Sequence, residues 1–218
     1  MEKKILDAQR QQWQDTFSET PEMFGSEPSD PAHRAAELFK REGVTILLEL
    51  GSGQGRDTFY FARNGFQVYA LDYSDQGLEA INKKAHELDL PNHIVTKVHD
   101  VRNPLPFDDG TFDACYSHML FCMALTTDQL QFLSEEVRRV LKPGGISVYT
   151  VRHTDDSHYK TGIHCGEDLY EVGGFIVHFF SREKVALLAK GYEIISIDEF
   201  EEGKLPRRLF LVTLRKLQ

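Results

Sequence analysis

The chain has 218 residues, 41% of them hydrophobic, 11% aromatic and 27% charged, a globular balance that excludes fibrous, disordered and disulfide-stapled classes and suits one domain over residues 1–218. Its 25 Lys+Arg against 34 Asp+Glu leave a formal net charge of −9. That argues against nucleic acid as a partner, since tracking a phosphate backbone needs a basic surface. No apolar run approaches the ~20 residues of a membrane span, Met1–Arg10 lacks the apolar core of a secretion signal, and Cys115, Cys122 and Cys165 make no even disulfide framework. The expectation is a soluble, cytoplasmic protein without a membrane partner.

In chain order, residues 1–41 read as two helical stretches around the loop Thr20–Pro31. Val44–Leu50 is a near-continuous apolar run, as a strand covered on both faces requires. A glycine-rich turn leads into a helix over Arg56–Arg63, and Gln67–Asp72 is the second strand. Asp75–Leu88 places Leu78, Ile81, Ala85 and Leu88 on one helical stripe with Ser74 as N-cap. Strands follow at Ile94–His99 and Phe112–Ser117. Asp128–Leu141 is a second amphipathic helix, opened by a Thr126-x-x-Gln129 capping box and stopped by Pro143-Gly144-Gly145 before a strand over Ile146–Arg152. His153–Phe180 reads as an irregular insertion rich in His, Gly and Tyr. The runs Gly191–Phe200 and Arg207–Lys216, joined by the short turn Glu201–Pro206, pair antiparallel. Alternating strands and helices predict an α/β, doubly wound, mostly parallel sheet with an antiparallel hairpin at its end. In such a sheet ligands bind beyond the carboxyl ends of the strands. Residues 1–41 and 153–180 are placed to cover that edge.

The turn Glu49-Leu50-Gly51-Ser52-Gly53-Gln54-Gly55 lets a ligand lie against bare backbone. Asp72 ends the second strand about twenty residues on, where a carboxylate can take both hydroxyls of a ribose. A dinucleotide site wants G-x-G-x-x-G, and here the sixth position is Arg56 or Thr58. No Gly-Lys-Ser/Thr marks a phosphate loop. Glu49 would repel a pyrophosphate but attract the positively charged methionine moiety of S-adenosyl-L-methionine.

These stretches resemble the class I S-adenosylmethionine-dependent methyltransferases, in a type 11-like form. Glu49–Ser74 looks like the family's first and second motifs, His99–Phe121 its third and fourth, and Leu141–Arg152 the entry to its fifth strand. The resemblance implies a seven-stranded Rossmann-like methyltransferase fold and S-adenosyl-L-methionine as cofactor. It implies that Glu49, Gly51 and Gly53 surround the methionine moiety and ribose, that Asp72 is the ribose acid, and that Tyr73 packs on adenine. Asp100 then accepts from the adenine amine, Val101 donates its N–H, and Ser117 and His118 lie under the sulfonium. Ser52, Gln54, Asp57 and Ser74 complete the implied cofactor set. The stretch Trp13…Phe24-Gly25…Pro28 is similar to the lid of the thiopurine and tellurite-resistance groups, where a Trp and a Phe close over the cofactor.

Methyl transfer from a sulfonium needs alignment above all, and a general base only when the acceptor arrives protonated. No catalytic residue is obligatory. The candidates for a base are His118 and His178, and Phe24, His118, Arg152 and His178 are the candidate acceptor-pocket residues. Arg182, Arg207 and Arg208 join Arg152 as possible anchors for an anionic acceptor. His153, His158, His164 and Cys165 match no zinc spacing, so no metal is assigned. The expected partner is a small-molecule acceptor. The rivals are a non-catalytic S-adenosylmethionine-binding regulatory protein and an NAD(P)-dependent oxidoreductase, the latter disfavoured by the missing third glycine.

Overall fold

A computed structural model describes residues 3–203 and 207–218. The chain begins with two helices, α1 (Lys3–Glu19) and α2 (Asp30–Arg41), before strand β1 (Ile46–Leu50). Helix α3 (Arg56–Arg63), strand β2 (Gln67–Asp72), helix α4 (Asp75–Glu87) and strand β3 (Ile94–Val98) follow. Next come strand β4 (Phe112–His118), helix α5 (Thr127–Val140) and strand β5 (Leu141–Arg152). Three short strands occupy the insertion, β6 (Ile163–His164), β7 (Leu169–Val172) and β8 (Phe175–His178). Helix α6 (Arg182–Leu188), strand β9 (Tyr192–Glu202) and strand β10 (Arg207–Lys216) complete the chain.

The large sheet has seven strands in the order β3-β2-β1-β4-β5-β10-β9. Five are parallel neighbours, and β10 runs antiparallel to both β5 and β9. Because β10 alone is reversed, β9 points the same way as β5. Its carboxyl end therefore lies on the same sheet edge as the ends of β1, β2 and β4. Lys204–Pro206 of the expected turn lie outside the described residues.

The core has two halves, one on each face of the sheet. Leu48 and Leu50 pack with α5 and α6 through Leu130, Leu133, Val137, Val185 and Leu188. Leu47 on the opposite face packs with α2, α3 and α4 through Ala35, Phe39, Phe61 and Ile81. Each such side chain removed from water contributes about 1.5–3 kcal/mol. Local sequence sets the helix ends. Ser74 accepts from Gly77 N–H, and Thr126 with Gln129 forms the reciprocal box.

Two expectations need correction. Helix α5 ends at Val140, before Pro143-Gly144-Gly145, because Leu141 already has extended backbone. The proline and glycines instead form an irregularity where β5 meets β4, with pairing shifted between Phe112 and Ala114. The insertion is not irregular. Residues 163–178 form a three-stranded antiparallel sheet, order β6-β7-β8. Gly173 and Gly174 take positive φ (+61° and +86°) between β7 and β8, the conformation that a two-residue hairpin turn demands.

Candidate functional site

Strand alternation sends Glu49 toward α3, on the same face as Leu47. There Thr58 Oγ1 donates to its Oε2 at 2.6 Å, leaving the carboxyl 3% exposed. Burial pushes that carboxyl up to about 8, although the Thr58 bond pulls the other way. The chain then turns through Gly51, Gly53 and Gly55 at φ +73°, +53° and +89°, a left-handed path that glycine follows without strain. The turn is fastened to β2. Gly51 and Ser52 N–H donate to Leu71 O at 2.8 and 3.2 Å. Gly53 N–H donates to Asp72 Oδ2 at 2.8 Å and Ser74 N–H to Asp72 Oδ1 at 2.9 Å. Asp72 thus clamps the glycine turn with one lone pair of each oxygen and keeps the other for a ligand donor. Gly77 admits the first turn of α4 against the loop, since a Cβ there would lie 2.5 Å from Gly53 O.

The turn opens onto a cleft of about 710 Å³ across the carboxyl ends of the strands. Of the residues singled out in the sequence, Trp13, Phe24, Glu49, Gly51, Ser52, Gly53, Gln54, Asp57, Asp72 and Tyr73 line it, as do Asp100, Val101, His118 and Arg152. Ser74, Ser117 and His178 do not. Ser74 is fully buried and caps α4. Ser117 is 1% exposed, with its hydroxyl facing no partner among the described residues. His178 is fully buried; its Nδ1 donates to Leu125 O at 2.7 Å and its Nε2 accepts from Lys184 Nζ. His178 therefore belongs to the packing of the insertion, not to the cleft.

Several lining groups are already committed. Asp57 accepts from Ser29 N–H and Oγ at 2.9 and 2.7 Å, from Tyr116 Oη at 3.0 Å and from Arg56 Nε at 3.1 Å. Burial would raise its carboxyl, but Arg56 and the Ser29 bonds hold it below the usual range. Asp57 thus ties the cap of α2 to α3 and β4. Asp100 is gripped by Arg102, whose Nε lies 2.9 Å from both carboxylate oxygens. Burial raises the Asp100 carboxyl and the Arg102 bonds outweigh it. Arg152 is 5% exposed and binds Asp156 through Nε and Nη2, so its charge is already met. Arg182 and Arg208 lie against Glu199 and Glu201.

Gln9, which the sequence did not single out, joins Gln54 and Trp13 in closing the cleft. Gln9 Nε2 donates to Gly174 O and Ile176 N–H donates to Gln9 Oε1, both at 3.0 Å. Gln54 Nε2 donates to Phe17 O and Thr20 O, while Gln54 Oε1 accepts from Met23 N–H. The Trp13 ring lies 4.6 Å from that of Phe175 on β8. Amphipathic spacing cannot flag Gln9 or Gln54, because their partners are 165–167 and 31–37 residues away. His153, in contrast, stacks on Phe210 at 4.6 Å and His164 Nε2 meets Glu167 O. Among the described residues no three His, Cys, Asp or Glu side chains are placed to hold a metal ion, and no helix is long and apolar enough to cross a membrane.

With this geometry in hand, comparison with known proteins places residues 48–149 in a family described as a methyltransferase domain. The segment matches that family over a little under half of the chain. Around it the chain is 35% identical over 100 residues to an uncharacterised methyltransferase of Synechocystis, covering 46% of this chain and 43% of that one. It is 30% identical over 119 residues to the sarcosine/dimethylglycine N-methyltransferase of Halorhodospira halochloris, covering 54% and 41%. The matches span about half or less of the length of these curated relatives. The methyltransferase fold extends further than the sequence match. The 1,6-didemethyltoxoflavin-N1-methyltransferase of Burkholderia thailandensis superposes with a TM-score of 0.78 at 16% identity, covering 99% of this chain and 90% of that one. At that identity the likeness concerns the fold alone.

Proposed function

We propose that this protein is an S-adenosylmethionine-dependent methyltransferase acting on a small-molecule acceptor. The observation that carries the reading is the clamp between the glycine turn and Asp72 at the floor of the cleft. It presents bare backbone, a carboxylate with spare lone pairs, and the buried Ser52 hydroxyl, which has no partner among the described residues. A nucleoside with a ribose diol supplies the donors this set lacks. Glu49, at the end that would receive the methionine moiety, supplies the opposite charge to its cationic groups. When bound, the cofactor provides an electrophilic methyl on a sulfonium. The chain's own work is then to bind, align and exclude water. The Burkholderia structure contains S-adenosylhomocysteine, and the reading carries that ligand class over to this site.

A small acceptor is favoured because the cleft is roofed. Residues 1–41 meet the insertion through Gln9 and Trp13 and meet the glycine turn through Gln54. Its volume, about 710 Å³, lies within the ~300–1,000 Å³ of small-molecule and cofactor sites. We take 1–218 as one domain, with 1–41 as a lid and 153–180 as a second wall, and the cell interior as its location. Calorimetry with S-adenosylhomocysteine tests the cofactor, and Asp72→Ala is expected to weaken binding by about 1–3 kcal/mol. Unchanged affinity in folded Asp72→Ala protein would move the ribose acid elsewhere. A panel of small acceptors with methyl-labelled S-adenosylmethionine tests the activity, and transfer only to protein or nucleic acid would overturn the small-acceptor reading.

A further inference from the structure

The far end of the cleft holds a carboxylate that neither the glycine turn nor the clamp uses. Glu202 is the last residue of β9. The reversal of β10 brings it to the same sheet edge as His118, the last residue of β4. Its Oε1 lies 3.3 Å from His118 Nε2, and both side chains line the cleft.

A chain of hydrogen bonds orients this pair. Met119 N–H donates to Thr150 Oγ1 at 2.9 Å, and Thr150 Oγ1 lies 2.9 Å from His118 Nδ1. Thr150 is fully buried, and Nδ1 is the acceptor at hand for its hydroxyl hydrogen. A buried hydroxyl donates where it can, so we assign Nδ1 as acceptor and the ring proton to Nε2, which donates to Glu202. Both imidazole nitrogens are then engaged, and neither has a free lone pair for a proton from the acceptor. His118 is therefore a positioning residue for Glu202. Burial would raise the Glu202 carboxyl, but the His118 bond together with Arg56 and Arg207 keeps it below its usual range. Its second oxygen has no partner among the described residues.

Asp57, also in the cleft, already serves Ser29, Tyr116 and Arg56, and Arg152 is neutralised by the buried Asp156. His118, Arg56 and Arg207 act on Glu202, and the cleft it lines also has apolar and aromatic walls, with Met119, Met123, Phe24 and Phe175 among them. An ionised carboxylate with one oxygen short of a hydrogen-bond donor, in a cleft with aromatic walls, matches a cationic group that packs on aromatic faces. We propose that Glu202, oriented by Thr150 and His118, is the acceptor-binding carboxylate, and that the acceptor presents a cationic nitrogen to it. Arg207 lies across the strand pair from Glu202 and also lines the cleft; it faces whatever anionic portion that acceptor carries.

This inference rests on the methyltransferase reading, and the test keeps the two apart. The chain has one tryptophan, Trp13, and it lines the cleft, so its fluorescence reports occupancy directly. Phenethylammonium, phenethyl alcohol and 3-phenylpropanoate are titrated into protein saturated with S-adenosylhomocysteine. The cation is expected to bind roughly tenfold or more tightly than the isosteric alcohol, as a charge-assisted bond requires. Glu202→Gln is expected to erase that preference and to leave S-adenosylhomocysteine affinity unchanged. Thr150→Val, which releases His118, is expected to reduce it in part. Equal binding of all three probes, a preference for the anion, no binding by any probe, or a cation preference that survives Glu202→Gln overturns the proposal. Failure of the wild-type protein to bind S-adenosylhomocysteine overturns the methyltransferase reading instead.

Discussion

Glu49 couples the glycine turn to pH. Its carboxyl is buried and pushed up to about 8, above the ordinary 4.5, so the folded protein without ligand holds a proton there that the unfolded chain releases. A raised folded-state value makes that stability complete below about 4.5 and loses it as pH rises toward 8. Thermal melts of the protein without ligand should therefore show Glu49→Gln gaining on the wild type between pH 5 and 8. A constant difference over that window would contradict the assignment. The same group should make S-adenosylmethionine binding strengthen from pH 6 to 8, because the cationic methionine moiety favours the ionised carboxylate. In Glu49→Gln that slope should flatten, as calorimetry at several pH values can measure. Asp57, in contrast, lies close by yet stays ionised. Arg56 and the Ser29 bonds offset its burial. Two neighbouring acids of similar burial are thus separated by the charges and donors around them.

Among the elements, the three-stranded insertion depends most on contacts outside itself. Strand β6 has two residues, and the β7–β8 turn is Gly173-Gly174, so its own ladder is weak. Gln9 on α1 supplies two hydrogen bonds to that turn and strand, one to Gly174 O and one from Ile176 N–H. Gln9→Ala should speed amide exchange across Leu169–His178 while leaving β1 and β4 unchanged, since each lost bond is worth about 0.5–1.5 kcal/mol. Exchange in 169–178 equal to wild type would mean that Phe175 against Trp13 holds the insertion alone. The hairpin of β9 and β10 plays a different part. Its reversal brings the Glu202 carboxylate and Arg207 to the cleft at its tip.

For the whole molecule, helix α1 and the insertion form one roof in the proposed reading. Gln9, Trp13 and Gln54 join them to each other and to the glycine turn. Because Gln54 sits in the turn itself, a ligand that orders the turn should also order the roof. Hydrogen exchange with and without S-adenosylhomocysteine should therefore show protection rising together at Trp13–Gly25 and in 153–180. Protection confined to Gly51–Asp72 and Asp100 would uncouple the roof from the turn and favour a large acceptor.

Sequence alone determined the strand–glycine turn–helix unit, the Asp72 strand end, the Ser74 and Thr126 caps and the antiparallel terminal pair. Each depends on residues within a few positions of one another, where backbone conformation and short hydrogen bonds decide the outcome. It also pointed to most of the cleft, since Glu49, Asp72, Asp100 and His118 sit at strand ends, and an α/β sheet binds ligands there. It misread His178, which looks like any pocket histidine until Leu125 and Lys184 are seen to hold both its nitrogens. It could not single out Gln9, Thr150 or Glu202. Their roles come from partners brought close only by the strand order, with Glu202 84 residues from His118 in the chain and 3.3 Å away in the fold. Tertiary structure decided those contacts because a side chain's charge and tautomer are set by what surrounds it, and in this sheet the surroundings come from strands far apart in sequence.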